Sequence, residues 1–293
     1  AELDTVWQAF DVEYPGFALL EHVDWGALRE RYHGAVSAVE TRFGLAVVLA
    51  DMLARLEDLH VWVRVGQRFA PGYTRDRPLN GSWNATRKLA GLNRQRGKEL
   101  VWGRTEDGIG VVCVLGLTEP ELAKYADEAL EDLAGTWALI FDLRFNGGGN
   151  ELLAREIAGR FATEETLYSK SRIRSGPKHD DLSEPFDRSF AARGPWRYGA
   201  PVVCLQGQRT LSSAESFALM MARCPQVTTL GDRTGGSSGN PRHLELESGI
   251  VVSLPRWLAL DAEGNRIERT GVAPEVLVEA SPGDFDDEGD PVF

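Results

Sequence analysis

A run of three glycines follows an apolar segment in the middle of the chain, within ALIFDLRFNGGGN at residues 138–150. Glycine has no side chain to pack and loses more conformational entropy on folding than any other residue. A folded chain therefore keeps consecutive glycines where backbone amides must turn outward or approach another group closely. The apolar residues before them predict a strand, and ELLAREIAGRF after them predicts a helix.

Free amides between a strand end and a helix N-terminus form an anion site. This loop lacks the Gly-Lys-Ser/Thr ending of a P-loop and the spacing of a dinucleotide fingerprint. A nucleotide phosphate is thus disfavoured as the anion, and a transient oxyanion is favoured.

The order of strand, loop and helix recurs in PVVCLQ, GQRTLS and SAESFALMMARC. Loops at strand ends that face helix N-termini are typical of a mixed α/β sheet. Ser212 lies where the second loop becomes a helix, a position that exposes a hydroxyl and directs the next amide, that of Ser213, to the same space. Such a serine suits a nucleophile that supplies half of its own oxyanion hole. Serine is also a common helix N-cap, and the turn alone leaves both interpretations open.

Hydrophobic periodicity predicts the organisation of the 293 residues. We predict an N-terminal helical subdomain that ends in a strand (residues 1–66), followed by a linker or excursion (67–98). An αβ catalytic core with a β-rich C-terminal portion (99–280) and a solvated acidic tail (281–293) complete the predicted order. Asp24 is predicted to cap a helix that begins at Trp25. Glu106–Gly108 predicts a hairpin turn, and Thr118 with Glu121 predicts a capping box.

Composition disfavours several function classes. The net charge of −12 argues against nucleic-acid binding, which needs a basic surface. Cys113, Cys204 and Cys224 lack CxxC spacing and predict core thiols, with neither a disulfide framework nor a zinc site. No segment has the roughly 18 consecutive apolar residues of a membrane span, and the N-terminus shows no signal-peptide pattern. A first residue of Ala1 instead of Met is typical of a processed or truncated chain, which leaves the compartment open.

A nucleophilic serine needs a base, and the chain has five histidines. His22 and His33 lie within or beside predicted helices, His179 lies in a polar loop, and His243 begins a predicted strand. His60 follows LEDL as the first residue of the predicted strand HVWVRV, where its side chain can reach a cleft. The same position equally suits a half-buried structural histidine.

Four segments together resemble the tail-specific and C-terminal processing serine peptidases, in their tricorn-type branch with a histidine base. DLRFNGGG is similar to the family's Asp-Leu-Arg-x-Asn-x-Gly-Gly, TLSSAE to its Ser-x-x-Glu, LEDLH to its Leu-x-Asp-x-His, and GNRIERTGVAPEV to its closing Glu-x-x-Gly-Val-x-Pro-Asp. They fall in the family's order over about residues 50–278. The resemblance implies a crotonase-like αβ spiral and acyl-enzyme hydrolysis of short or unfolded peptides, without a metal or cofactor.

The resemblance also implies roles for individual residues. Ser212 matches the nucleophile, His60 the base, and Glu268 the acidic residue that orients the base. The amides of Gly148 and Ser213 match the oxyanion hole. The residues expected to support the glycine loop and the serine turn are Asp142, Arg144, Asn146, Gly149 and Glu215.

The chain departs from the family's patterns at three places. Where the Ser-Lys branch has a lysine, 25 residues after the nucleophile, this chain has Ser237. Leu59 stands where the tricorn core has a serine immediately before the histidine. No stretch reads as an inserted PDZ-like domain. His60 is therefore the base that the resemblance offers.

Two other functions stay open at this point. One is hydrophobic-ligand binding, as in retinoid-binding proteins that use the same fold, which the Ser-His-Glu set disfavours. The other is crotonase-like acyl-CoA chemistry, which the lack of a basic phosphate-binding loop disfavours. The leading hypothesis is a serine-type endopeptidase or carboxypeptidase-like processing peptidase. Its expected partner is a peptide or unfolded protein, with homo-oligomerisation left open and an exported or periplasmic location favoured over the cytoplasm.

Overall fold

The computed structural model describes residues 1–20 and 22–293. Its helices are α1 (Glu2–Glu13), α2 (Trp25–Val36), α3 (Arg42–Ala54), α4 (Trp83–Leu89), α5 (Leu122–Asp132), α6 (Glu151–Ala158) and α7 (Ser213–Ala222). Its strands are β1 (Val63–Val65), β2 (Arg68–Phe69), β3 (Leu92–Arg96), β4 (Leu100–Arg104), β5 (Gly110–Val114), β6 (Leu139–Asp142), β7 (Thr166–Arg172), β8 (Phe186–Phe190), β9 (Val202–Gln206), β10 (Val227–Gly231), β11 (Arg242–Glu245), β12 (Ile250–Leu254), β13 (Leu258–Asp261) and β14 (Val276–Leu277). Short 3₁₀ turns lie at Pro15–Leu19 and Pro282–Asp284.

The chain divides into two compact units, each made of three segments. Unit 1 comprises Ala1–Asp76, Ser171–Phe186 and Gly239–Ala259, and unit 2 comprises Arg77–Lys170, Asp187–Ser238 and Leu260–Phe293. The strands β7, β8 and β13 form a three-stranded sheet in the order β13-β7-β8.

Unit 1 combines the N-terminal helices with a small antiparallel sheet in the order β11-β12-β1-β2. On α1 the buried residues are Leu3, Val6 and Phe10, whose spacing of three and four places them on one helix face. The prediction that Asp24 caps the helix from Trp25 is confirmed, because its Oδ1 accepts the N–H of Ala27 at 2.9 Å.

The predicted first strand is shorter than its sequence pattern. It begins at Val63, and His60 lies in a turn instead of at the strand start. The turn forms because Asp58 accepts the His60 N–H through Oδ1 at 2.8 Å and the Val61 N–H through its carbonyl oxygen at 3.1 Å. The alternating apolar pattern of HVWVRV therefore covers more residues than the strand β1 that forms there.

Unit 2 contains a seven-stranded mixed sheet in the order β14-β10-β9-β6-β5-β4-β3. Five neighbouring strands of this sheet run parallel, in the order β14, β10, β9, β6 and β5. The strand β4 pairs antiparallel with both β5 and β3. This sheet confirms the predicted mixed α/β architecture and the predicted hairpin between β4 and β5. Because β6 and β9 are parallel neighbours, the loops that follow them leave the same edge of the sheet. The glycine loop and the serine turn therefore lie side by side.

Residues 67–98, predicted as a linker or excursion, contain α4 and β3, and β3 pairs with β4. The predicted capping box is wrong: α5 begins at Leu122, and the Thr118 hydroxyl donates to Glu99 at 2.6 Å. The predicted solvation of the acidic tail is wrong at Asp290, which is buried against Arg144. Thr118 and Asp290 both differ from prediction because each meets a partner that is distant in the sequence.

Candidate active site

Ser212 occupies a strained backbone conformation at the start of α7. Its φ of 59° and ψ of −129° lie in a region that residues with a Cβ rarely adopt. The residue is partly exposed, and its hydroxyl makes no capping hydrogen bond to the helix. A serine used only as an N-cap has β-region dihedrals and a bonded hydroxyl, so Ser212 does not behave as one.

Glu215 fixes the backbone of the serine turn. One carboxylate oxygen accepts the N–H groups of Ser212 at 3.1 Å and Ser237 at 2.9 Å. The other accepts the Thr234 hydroxyl at 2.5 Å and the Gly236 N–H at 2.7 Å. The Ser212 N–H is also 2.9 Å from the Ser237 carbonyl oxygen. Glu215 therefore joins the serine turn to the segment 234–238, which we call the Thr234 loop.

Burial dominates the ionisation of Glu215. Complete removal from water raises the pKa of the Glu215 carboxyl to about 7, and the hydrogen bonds that it accepts oppose this rise.

The glycine loop packs directly on the serine turn. Gly148 and Gly149 have φ of 100° and 139°, which favour glycine over other residues. A Cβ on Gly148 would lie 2.7 Å from the Leu211 carbonyl oxygen and 3.1 Å from the Ser213 nitrogen. The Ser213 hydroxyl donates to the Gly149 carbonyl oxygen at 2.7 Å. Gly148 is thus required because no side chain fits between the loop and the turn. Gly149 is required because a Cβ there would lie 2.3 Å from the Leu117 carbonyl oxygen, whereas a Cβ on Gly147 would meet no other group.

The two amides expected to form the oxyanion hole differ in their surroundings. The Ser213 N–H belongs to the first helical residue of α7, where the helix itself supplies no acceptor. The Gly148 N–H donates to Oδ1 of Asn146 at 2.8 Å. We expected the loop amides to point outward, and at Gly148 the N–H instead turns back, because an asparagine side chain readily accepts from the amide two residues on.

A buried ionic cluster lies under the glycine loop. Arg144 is fully buried, and its guanidinium contacts Asp142 at 2.7 Å and Asp290 at 2.9 Å. It also donates to the Asn80 carbonyl oxygen and the Thr86 hydroxyl. Burial alone disfavours the charged guanidinium, but the adjacent Asp142 and Asp290 carboxylates raise the pKa of Arg144 above its usual value. Sequence reasoning found Asp142 and Arg144 and missed Asp290, which lies in a segment with the composition of a solvated end.

Glu268 is buried and lies in a turn after β13. Both of its carboxylate oxygens accept the Ser238 N–H, at 3.1 and 3.2 Å. The next residue, Arg269, donates its N–H to the Gly236 carbonyl oxygen at 2.7 Å. Glu268 is therefore attached to the Thr234 loop, the same loop that Glu215 connects to Ser212.

His60 belongs to unit 1, whereas the other candidate residues belong to unit 2. It is half-buried, and the Asp58 carboxylate that binds its N–H also accepts the Tyr14 hydroxyl at 2.9 Å. Sequence reasoning assigned no role to Asp58, although it lies two residues before His60 in LEDLH. The pattern of an Asx turn, an aspartate two residues before the positioned amide, was the available signal.

Three of the other histidines have structural surroundings, and the fourth, His22, is exposed. His179 contacts Asp11 at 2.8 Å and stacks on Phe17, His33 contacts Asp4 at 2.9 Å, and His243 packs against Trp62. The three cysteines are buried, as predicted, and burial raises the pKa of the Cys204 and Cys224 thiols.

No group of three or more His, Cys, Asp or Glu side chains in residues 1–20 and 22–293 could hold a metal ion. No helix in that part of the chain combines the length and apolar character that crossing a membrane requires.

This chain is similar to known proteins in sequence and in fold. The sequence model of Peptidase family S41 matches residues 108–278, more than half of the chain. The carboxy-terminal processing protease CtpA of Bacillus subtilis is 26% identical over 184 residues, which cover 62% of this chain and 37% of CtpA.

Two solved structures cover most of the chain. A candidate peptidase from Parabacteroides merdae is 28% identical, with a TM-score of 0.82 over 96% of this chain and 90% of that one. Mature CPAF is 13% identical, with a TM-score of 0.72 over 97% of this chain and 93% of that one, and this likeness concerns the fold alone.

Proposed function

Because this chain belongs to Peptidase family S41, we propose that it is a serine peptidase in which Ser212 is the nucleophile and His60 is the base. The observation that carries the proposal is the conformation of Ser212, held at the N-terminus of α7 with its hydroxyl unused by the helix. Backbone strain of this kind persists where the surrounding structure over-determines it, and Glu215 and the glycine loop supply that structure here.

The proposed reaction proceeds through an acyl-enzyme. Ser212 Oγ attacks the carbonyl carbon of the peptide bond while the His60 imidazole accepts the hydroxyl proton. The resulting tetrahedral oxyanion is stabilised by backbone N–H groups, and His60 then protonates the leaving amine as the C–N bond breaks. Water, deprotonated by His60, attacks the ester and releases the acid product and the serine hydroxyl.

The Ser213 N–H is the first oxyanion donor in this scheme, and the Gly148 N–H is the second. The packing of Gly148 against the Ser213 nitrogen supports this pairing. The Gly148 N–H contributes by sharing or leaving its bond to Asn146, which makes the Asn146 side chain part of the proposed machinery. Glu268 is proposed as the acid that orients His60, supported by its burial and its attachment to the Thr234 loop.

The proposed substrates are short or unfolded peptides. CtpA of Bacillus subtilis is named for processing carboxyl termini, and this chain spans about 37% of its length. We also infer that the parallel strands and their helices form a crotonase-like spiral, which the strand order in unit 2 supports.

Covalent labelling tests the nucleophile. We expect a fluorophosphonate probe to modify wild-type protein and not Ser212→Ala, because the probe reacts with an activated serine hydroxyl. Ser213→Ala is the matched control and should still be labelled, since the Ser213 hydroxyl is engaged with Gly149. Mass spectrometry of a peptide library, with and without each variant, should show cleavage that depends on Ser212 and should separate internal from terminal cleavage. Labelling that is lost in Ser213→Ala and kept in Ser212→Ala would place the nucleophile one residue later.

A further inference from the structure

Unit 1 contains a cavity of about 490 Å³ whose wall includes two arginines, Arg174 and Arg256. Trp257, Val12 and Ile173 supply apolar surface beside them. We call this cavity, defined by these five residues, the arginine pocket. Its lining combines positive charge with exposed apolar side chains, although the chain as a whole has a net charge of −12.

The guanidinium of Arg174 lacks an acidic partner in the described part of the chain. Its Nη2 donates to the Gly176 carbonyl oxygen at 3.2 Å, whereas Nε and Nη1 are buried with no hydrogen-bond acceptor among the described residues. Buried N–H groups without an acceptor are unfavourable, and a guanidinium fork fits the two oxygens of a carboxylate. Arg174 is partly exposed and lines the cavity, so a ligand there lies beside its guanidinium.

The acidic residue that borders the arginine pocket does not pair with either of the pocket's two arginines. Glu13 also borders the cavity, but its carboxylate binds Arg242 at 2.5 and 2.7 Å. The Arg256 guanidinium donates one long hydrogen bond, to the Asn240 carbonyl oxygen at 3.4 Å. The pocket therefore offers two positive side chains to a ligand.

The wall of the pocket is connected along the chain to the Thr234 loop. The N–H groups of Arg256 and Trp257 lie 2.8 and 3.3 Å from the Gly239 carbonyl oxygen, and Gly239 directly follows Ser238. This segment therefore links the pocket wall to residues that hold Glu268 and Ser212.

We propose that the arginine pocket binds a carboxylate of the peptide substrate together with a neighbouring apolar side chain. The carboxylate forms ionic hydrogen bonds with Arg174 and Arg256, and the apolar group packs on Trp257, Val12 and Ile173. This inference rests on the proposed peptidase function for the nature of the ligand. The carboxylate comes from an acidic side chain or from the peptide C-terminus, and the experiment separates these sources.

Binding is measured in the Ser212→Ala protein, so that no peptide is consumed. Three N-acetylated pentapeptides with one leucine each, titrated by calorimetry, differ in charge: a glutamate with an amidated C-terminus, a glutamine with a free C-terminus, and a glutamine with an amidated C-terminus. We expect one or both carboxylate peptides to bind on the order of tenfold more tightly than the neutral one. The preference should shrink at high salt, and which peptide shows it identifies the source of the carboxylate.

Arg174→Gln and Arg256→Gln, each in the Ser212→Ala background, should remove most of this preference and leave the affinity for the neutral peptide. Arg233→Gln is the matched control, because it removes one positive charge from an exposed position outside the pocket. Near-UV circular dichroism checks that each variant is folded. The proposal is overturned if the three peptides bind equally, if none binds, or if the preference survives in both pocket variants. If the carboxylate preference depends on these arginines but the fluorophosphonate does not label Ser212 in the wild-type protein, the proposed peptidase function is overturned and the carboxylate site stands.

Discussion

At the scale of single residues, carboxylates position backbone amides around the proposed site. Glu215 accepts the N–H of Ser212 and two N–H groups of the Thr234 loop. Asp58 accepts the N–H of His60, and Glu268 accepts the N–H of Ser238. A carboxylate offers up to four acceptor positions, so one buried side chain can fix several loop amides at once. The proposed catalytic geometry thus depends on acids that need not touch the substrate.

The raised pKa of Glu215 predicts a pH-dependent effect of Glu215→Gln. A carboxyl whose folded pKa is about 7, against 4.5 for the free group, contributes stability that is fully present below pH 4.5 and is lost as pH rises toward 7. Glutamine does not titrate, so Glu215→Gln should lower the free energy of unfolding more at pH 5 than at pH 7.5. Urea unfolding at both values measures the difference. An equal cost at both pH values would indicate that Glu215 is ionised throughout this range.

Asp58 is predicted to position His60. Asp58→Ala removes the acceptor of the His60 N–H, and we expect kcat to fall on the order of tenfold or more with little change in KM, because small misplacements of a catalytic group slow the reaction strongly.

Two further variants separate positioning from stability. Asp58→Asn keeps an acceptor oxygen for the His60 N–H and should recover part of the activity. Tyr14→Phe removes only the other partner of Asp58 and should lower thermal stability while largely preserving kcat. If Tyr14→Phe and Asp58→Ala lose kcat equally, the role of Asp58 is structural.

At the scale of elements, two strand-end loops are shaped by each other. The glycine loop after β6 and the serine turn after β9 approach so closely that Gly148 cannot carry a Cβ. Gly148→Ala would therefore disturb the packing of both loops, and its effect on turnover would not report on the amide alone. Ser212 keeps a Cβ in a backbone region that glycine adopts more easily.

This strain predicts an unusual order of stability. Ser212→Gly should be more stable to urea than Ser212→Ala by about 1 kcal/mol, because relief of a strain of roughly 1–3 kcal/mol exceeds the entropic disadvantage of glycine. Neither variant should be labelled by the fluorophosphonate. At the neighbouring helical position the order should reverse, with Ser213→Gly less stable than Ser213→Ala by about 0.5–1 kcal/mol. Equal stability of the two Ser212 variants would mean that the turn is unstrained.

At the scale of the whole molecule, the last residues of the chain complete the support of the glycine loop. Asp290 contacts Arg144 and also accepts the N–H groups of Val292 and Phe293. Arg144 in turn contacts residues 80 and 86 of the segment before the sheet. Three distant parts of unit 2 thus meet at one buried guanidinium.

Asp290→Asn should lower the free energy of unfolding by about 3 kcal/mol, because it leaves a buried charge with one fewer carboxylate. Glu279→Gln, an exposed acid in the same C-terminal region, should change the free energy of unfolding by less than about 0.5 kcal/mol. Urea unfolding of both variants measures the contrast. Similar small effects would show that the tail is dispensable for the support of Arg144.

Local patterns determined much of this protein. The periodicity of three and four predicted the N-terminal helices, Asp24 predicted its cap, and two strand-loop-helix segments predicted the mixed sheet and the place of Ser212. These features follow from residues within a few positions of one another, whose propensities and spacing are visible in the chain itself.

Tertiary structure alone decided the partners of several other polar groups. Thr118 binds Glu99 instead of capping its own helix, Asp290 is buried with Arg144, and Glu268 binds the Ser238 amide. Each pairing joins residues between 19 and 146 positions apart, and no local pattern encodes which acceptor a buried donor will meet. Such partners are selected by the requirement that buried polar groups be satisfied, a condition that only the packed chain imposes.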